Sequence, residues 1–258
     1  IKAGLNVARL NMSHGSYEEH GAKINLIKAT NQKLGSNVAI MLDTKGPEIR
    51  LNEMDNTVGF PVHEGDRINV GKGLGNKCRQ GMLYTNCEGF VDDVPIGAQI
   101  LIDDGAIALE VIGKDEDALS CRICNNGVIK GKKSINVPGV HISLPSLTDK
   151  DKSFVRWAIE ADIDFIAHSF VRNKEDLHEI QRLLDEAGSH IKIISKIENQ
   201  QGIDNLDDIL TYCYGVMIAR GDLGVELPFT ALPKIQKDII KRCFRNGKYV
   251  ITATQMLE

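Results

Sequence analysis

Lys196 and Glu198 stand two residues apart at the end of the apolar run Ile193-Ile194-Ser195-Lys196-Ile197-Glu198-Asn199. In an extended chain, residues i and i+2 project to the same side, so this spacing puts an ammonium and a carboxylate together at the end of a buried strand. Such a pair suits a site that holds a metal ion and an anion at once. A plain strand-end ion pair is the competing account, and the two roles can coexist. A second apolar run, Val216-Met217-Ile218-Ala219-Arg220-Gly221-Asp222-Leu223-Gly224, also ends in a carboxylate. Glu198 and Asp222 are hard oxygen donors, and two carboxylates completed by water and substrate oxygens are a usual way to hold Mg²⁺. The alternative for both is a solvated loop acid, which the buried runs before them argue against. Backbone amides at the helix start around Ala219-Arg220-Gly221-Asp222 form a natural seat for a carboxylate.

Two earlier segments carry further candidates, Asn6-Val7-Ala8-Arg9-Leu10-Asn11-Met12-Ser13-His14-Gly15 and Met41-Leu42-Asp43-Thr44-Lys45-Gly46-Pro47-Glu48-Ile49-Arg50. Arg9 offers a planar fork matched to phosphate. Asn11, Ser13, Asp43 and Thr44 offer oxygen ligands with one certain negative charge, a set better suited to a monovalent cation than to Mg²⁺. Taken alone, Asn11 and Ser13 read as turn residues. Asp103-Asp104-Gly105 and Lys132-Lys133 read equally as a glycine-rich turn and a solvated basic pair.

The elements that must position these groups are legible as a rhythm. Apolar strand-like runs occur near 5–10, 38–42, 163–168, 191–197, 214–219 and 249–253, with amphipathic helical stretches between most of them. Ser16 with Glu19 three residues on has the capping-box pattern and opens the first of these helices, and Thr148 with Asp151 opens the second. The first carries Ile24, Ile27 and Leu34 on one face; the second buries Phe154, Val155, Ala158 and Ile159. Leu177, Ile180, Leu183 and Leu184 keep a helical period after Asn173, Leu206, Ile209 and Leu210 mark a shorter helix, and Leu232, Ile235, Ile239 and Phe244 mark the last. Strand–helix alternation predicts a parallel sheet. Residues 46–145 break the rhythm, holding 14 of the 24 glycines and 5 of the 7 prolines, and their short alternating runs predict an antiparallel β domain inserted between two strands of the α/β domain. The chemically loaded residues all fall at or just past strand C-termini. A closed barrel gathers such ends at one face, whereas an open sheet spreads them along an edge, so a (β/α)8 barrel is the favoured fold.

Composition narrows the classes. With 258 residues, 42% hydrophobic and 26% charged, the chain is an ordinary globular sequence, and its formal net charge of −4 argues against coating nucleic acid. No apolar run approaches the ~18 residues of a membrane span, and no secretory leader is visible. Of six cysteines, only Cys121 and Cys124 have metal-like spacing, without a second pair; reduced thiols in a reducing cytoplasm are the simpler account. The chain opens at Ile1 without a methionine and stops just after a strand-like run, which reads as a fragment.

The four chemical segments together, in order and with family-like spacing, resemble pyruvate kinase, and the resemblance runs from about Lys2 to Glu258. It implies an incomplete (β/α)8 TIM barrel, residues 1–46 and 146–258, lacking its first and last strands, with a β-barrel lid domain inserted at 47–145. It implies transfer of the phosphoryl group of phosphoenolpyruvate to ADP, giving pyruvate and ATP, the last step of glycolysis. Lys196, Arg9 and Thr254 become the catalytic set, and Arg9, Lys196, Gly221, Asp222 and Thr254 the substrate contacts. Asn11, His14, Arg50 and Lys133 face the nucleotide, with Asp103-Asp104-Gly105 and Lys132-Lys133 in the lid. Glu198 and Asp222 hold Mg²⁺ or Mn²⁺; Asn11, Ser13, Asp43 and the Thr44 carbonyl hold K⁺, and glutamate at position 48 goes with potassium dependence. The resemblance further implies a cytoplasmic homotetramer when complete; hydropathy and charge predict no membrane or nucleic-acid partner, and the missing strands predict an inactive isolated fragment. His168 departs from the small or apolar residue usual in the family. Two other readings stay open: a metal-dependent aldolase or lyase that also enolises pyruvate, and a purely structural piece.

Overall fold

A computed structural model of the chain describes residues 1–145 and 147–253. The chain divides into two compact units, one of Ile1–Pro47, Pro145–Leu223 and Thr230–Glu258, the other of Glu48–Leu144 with Gly224–Phe229. In chain order the first unit opens with β1 (Val7–Asn11), α1 (Tyr17–Leu34) and β2 (Ala39–Asp43). The second contains β3 (Phe60–Val62), β4 (Arg67–Gly71), β5 (Met82–Tyr84), α2 (Phe90–Asp93), β6 (Gln99–Ile102), β7 (Ile107–Lys114), β8 (Ala118–Ile123), β9 (Gly127–Ile129) and β10 (Ile135–Asn136). There follow α3 (Asp149–Glu160), β11 (Phe165–His168), α4 (Lys174–Glu186), β12 (Lys192–Ile197), α5 (Gln200–Asp204) and α6 (Leu206–Tyr212). The last elements are β13 (Gly215–Ile218), α7 (Arg220–Glu226), α8 (Leu232–Arg245) and β14 (Tyr249–Thr252).

In the first unit the strands form one six-stranded sheet, β1-β2-β11-β12-β13-β14, with every pairing parallel. Strands in sequence order with helices between them give an α/β arrangement that fits a barrel-like fold. The inner strands β2, β11, β12 and β13 are apolar runs with both faces covered; all four residues of β13 are buried, whereas the outer strands β1 and β14 stay partly exposed. Met41, Ala167, Ile194 and Met217 form one apolar cluster on the sheet, with Phe165, Ile251 and Ala253 packed against it. The helices begin where local chemistry dictates. Ser16 accepts from the amide of Glu19, whose side chain returns to the Ser16 amide, and Thr148 and Asp151 do the same for α3. Asn173 caps α4, with its side chain accepting from Asp176 N.

Two apolar assignments fail. Phe244 is 86% exposed and Leu34 42% exposed. Leu34 lies in the last turn of α1, beyond its buried residues His20 and Ile24; Phe244 follows the fully buried Cys243, which carries the α8 stripe on from Ile239, and so points away from that side of the helix. The five-residue α5, between β12 and α6, has no apolar period to announce it.

The second unit is β-rich, with a sheet β10-β6-β7-β8-β4-β5 and the pair β3-β9. Its pairings are antiparallel except β4 with β5, which is parallel, and it holds the short helix α2. Leu83, Phe90, Ile100, Ile102, Leu109, Leu119 and Ile123 fill its core. Cys121 lies in that core; burial pushes its thiol up to about 12, and all six cysteines are free. Among the described residues no helix is long and apolar enough to cross a membrane.

Candidate active site at the strand C-termini

Parallel pairing sets the site by register. Asn11 of β1 lies beside Asp43 of β2, and Asp43 beside Ala167 of β11. The ends of β1, β2, β11 and β12 therefore arrive at one level, and Lys196 is the hub of the polar groups they carry. Its Nζ lies 2.9 Å from Glu198 Oε1 and 3.1 Å from Asp43 Oδ1, and donates to Ser169 Oγ at 2.7 Å. An ammonium has three N–H donors, and three partners meet them. Lys196, Glu198, Asp43 and Ser169 are all buried. Arg9 closes the cluster from the solvent side, donating Nε to Asp43 Oδ2 at 2.6 Å, while its NH2 also pairs with that oxygen.

Electrostatics follow from this burial. Burial by itself lowers the Lys196 pKa, but Glu198 and Asp43 outweigh it and hold the group above its ordinary 10.5, firmly charged. Burial pushes the Glu198 carboxyl up to about 7; Lys196 opposes this, the charge of Asp222 adds to it, and the Phe170 amide opposes it. Glu198 and Asp222 are thus near enough to repel. A divalent cation would relieve that repulsion, and Asp222, exposed in the first turn of α7 beside Gly221, remains open to one. Among the described residues no three His, Cys, Asp or Glu side chains are grouped to hold a metal by themselves, so this pair needs oxygens from water or substrate to complete a coordination shell. The residues fit Mg²⁺ on those terms.

The corner Ser169-Phe170, just past β11, was not singled out from sequence. Ser169 Oγ donates to the Thr44 carbonyl at 2.6 Å and lies 3.4 Å from Asp43 Oδ1, and the Ser169 amide donates to Thr44 Oγ1 at 3.0 Å. Phe170 adopts a φ of 56° and donates its amide to Glu198 Oε2 at 2.6 Å. The available signal was placement: polar groups at the C-termini of β1, β2 and β12 pointed to the same position after β11.

The remaining expected residues divide. Asn11 Oδ1 accepts from the Ser13 amide at 3.0 Å, forming a turn, and the His14 carbonyl accepts from His20 Nε2 at 2.7 Å. Asn11 is the ladder neighbour of Asp43, and the Thr44 carbonyl keeps a second lone pair beside its bond from Ser169. This neutral-rich oxygen set fits a monovalent cation. Thr254 lies outside the described residues. His168 is buried and kept neutral by burial, its pKa lowered to about 4, and its Nδ1 has no hydrogen-bond partner.

Within the second unit, Arg50 binds both oxygens of Glu48, Nε to Oε2 at 2.8 Å and NH2 to Oε1 at 2.7 Å, and donates NH1 to the Lys132 carbonyl at 2.7 Å. Lys133 pairs with Asp103 at 3.0 Å, and Ser134 Oγ donates to Asp104 Oδ1 at 2.8 Å. Asp103, Asp104 and Lys132 all have positive φ. Arg50, Asp103-Asp104 and Lys132-Lys133, far apart in sequence, are therefore one neighbourhood.

The family described as pyruvate kinase, barrel domain, matches residues 1–258. The chain belongs to the pyruvate kinase family. It is similar to the pyruvate kinases of Geobacillus stearothermophilus, 48% identical over 263 residues, and Bacillus licheniformis, 47% identical over 262 residues. In each case the alignment covers 100% of this chain and 44% of the relative, so the chain spans under half the length of the pyruvate kinases it matches. A crystal structure of a pyruvate kinase from Cryptosporidium parvum superposes with a TM-score of 0.95 at 36% identity, covering 99% of this chain and 54% of that one. The polar cluster around Lys196 thus belongs to a pyruvate kinase barrel.

Proposed function

We propose that this chain carries the site at which a pyruvate kinase moves the phosphoryl group of phosphoenolpyruvate to ADP. The carrying observation is the buried ammonium of Lys196, kept charged by Glu198 and Asp43 and fixed by three partners. A preorganised cation in a water-poor site stabilises charge developing in the transition state far more than it would in bulk water. Arg9 binds the phosphoryl group at the mouth of the site. A terminal oxygen of ADP attacks phosphorus, the bond to the bridging oxygen of phosphoenolpyruvate breaks, and the enolate left behind takes a proton at carbon to give pyruvate. Lys196 stabilises both the transferring group and the enolate oxygen. Gly221 and Asp222 seat the substrate carboxylate, and Thr254 helps deliver the proton. Within the first unit Asn11 and His14, and within the second Arg50 and Lys133, are the residues read as nucleotide contacts. Glu198 and Asp222 would hold Mg²⁺ or Mn²⁺, and Asn11, Ser13, Asp43 and Thr44 would hold K⁺; bound there, these ions add positive charge against the phosphoryl oxygens.

The same reading takes the six-stranded sheet as part of a (β/α)8 barrel, residues 1–46 and 146–258, with residues 47–145 as an inserted lid domain. It places the protein in the cytoplasm as part of a homotetramer. A metal-dependent aldolase would use the carboxylates but has no need of a second-cation loop such as Asn11, Ser13, Asp43 and Thr44. The test is a coupled assay for pyruvate from phosphoenolpyruvate and ADP, run on this chain and on the whole polypeptide its gene encodes. Pyruvate formed without ADP, or none formed by the whole polypeptide, would overturn the proposal.

A further inference from the structure

We propose that Ser169 is a positioning residue whose hydroxyl fixes the Lys196 ammonium and ties it to the Thr44 carbonyl; this rests on the reading of Lys196 as the charge stabiliser. The direction of both hydrogen bonds is dictated by their partners. An ammonium only donates and a carbonyl only accepts, so the Ser169 proton goes to Thr44 O at 2.6 Å and the Oγ lone pairs receive Lys196 Nζ at 2.7 Å. A hydroxyl is the one small group able to do both. The two carboxylates alone do not define where the ammonium sits, because each attracts it without a fixed third direction. Ser169 supplies that direction from a position that cannot drift. It is 1% exposed, and its amide is held by Thr44 Oγ1 at 3.0 Å. Gly46 packs so closely that a Cβ there would lie 2.8 Å from Ser169 Cβ. The chain Lys196–Ser169–Thr44 also links the catalytic ammonium to a carbonyl in the loop read as the monovalent-cation site, so disturbance of one end reaches the other through a single hydroxyl.

The experiment uses the whole polypeptide with Ser169→Ala and Ser169→Thr, with the melting midpoint recorded for each. Two readouts are taken: kcat and KM for phosphoenolpyruvate, and the rate of Lys196 acetylation by acetic anhydride without substrate or metal, read by mass spectrometry against exposed Lys192. Ser169→Ala is expected to lower kcat by about tenfold or more, the scale of a slightly misplaced catalytic group, with little change in KM. Acetylation of Lys196 should rise by about two- to tenfold, the effect of one lost hydrogen bond. Ser169→Thr, which keeps the hydroxyl, should return both readouts toward the unmodified values. A purely structural serine would change the melting midpoint and leave the acetylation ratio and the kcat–KM split alone. Unchanged kcat or unchanged Lys196 acetylation in Ser169→Ala overturns the proposal. If the unmodified polypeptide makes no pyruvate, the functional reading fails instead, and acetylation still decides the position of Lys196. If Ser169→Thr does not fold, the alanine variant and its labelling decide alone.

Discussion

The backbone amide of Phe170 donates to Oε2 of Glu198 at 2.6 Å, from a residue held at a φ of 56°. A bulky side chain at positive φ carries a conformational cost, and here the strained peptide points its amide at a buried carboxylate whose other oxygen pairs with Lys196. With Ser169 on the lysine and Phe170 on the glutamate, one corner after β11 orders both members of the pair.

Replacing Lys196 by methionine removes the buried charge while keeping most of the volume. Turnover of the whole polypeptide should fall by at least ~10²–10³, the loss typical of one preorganised electrostatic group, with a much smaller effect on phosphoenolpyruvate affinity. Steady-state kinetics on the purified variant decide this, and near-normal turnover removes Lys196 from the mechanism.

Potassium dependence follows from the oxygen set of Asn11, Ser13, Asp43 and Thr44. Activity should collapse in buffer free of monovalent metal cations and return on adding K⁺, and Asn11→Ala should raise the K⁺ concentration needed for half-activation. Full activity without the ion contradicts the assignment.

Gly46 has a φ of 72°, and a Cβ there would lie 2.8 Å from Ser169 Cβ and 3.0 Å from Phe170 Cδ2. Gly46→Ala therefore strains the backbone and pushes on the corner. A loss of about 1–3 kcal/mol is expected, with turnover reduced further than the stability loss alone explains. Denaturant titration paired with kinetics separates the two effects, and a neutral alanine would show that the corner yields.

His168 makes stability depend on pH with a definite sign. Burial lowers its folded pKa from 6.5 to about 4, so on acidification the unfolded chain takes up the proton first. Its contribution is intact above about 6.5 and is lost as pH falls toward 4, by up to about 3 kcal/mol. The drop in melting midpoint between pH 7.5 and pH 5 should shrink in His168→Leu. An identical drop in both proteins excludes His168 as the cause.

The six-stranded sheet has β1 and β14 as its outer strands, each paired on one side among the described residues. Unpaired parallel edges invite association with other chains. The 258-residue chain expressed by itself should unfold with little cooperativity and show no measurable kinase activity. A sharp thermal transition together with turnover would refute this.

Local signals carried much of the fold. Capping boxes at Ser16 and Thr148 and the apolar runs of β2, β12 and β13 involve near neighbours in sequence, so reading the chain suffices to place them. The same holds for Lys196 and Glu198, whose shared direction follows from the two-residue period of a strand. Leu34 escaped that reading because helical period says which residues share a face but not how far along the helix burial extends, and Phe244 because the buried stripe of α8 passes from Ile239 to Cys243 instead. Nor did it show that Arg9, Asp43 and Lys196 form one cluster, or that Ser169 sits beneath the ammonium. Those facts depend on which strands pair and in what register: Asn11 beside Asp43, Asp43 beside Ala167 and His168 beside Ser195. Sequence by itself determined the chemical groups and the strand ends that bear them. Tertiary structure alone decided their partners, because parallel pairing joins residues distant in sequence and burial then sets the strength of every charge among them.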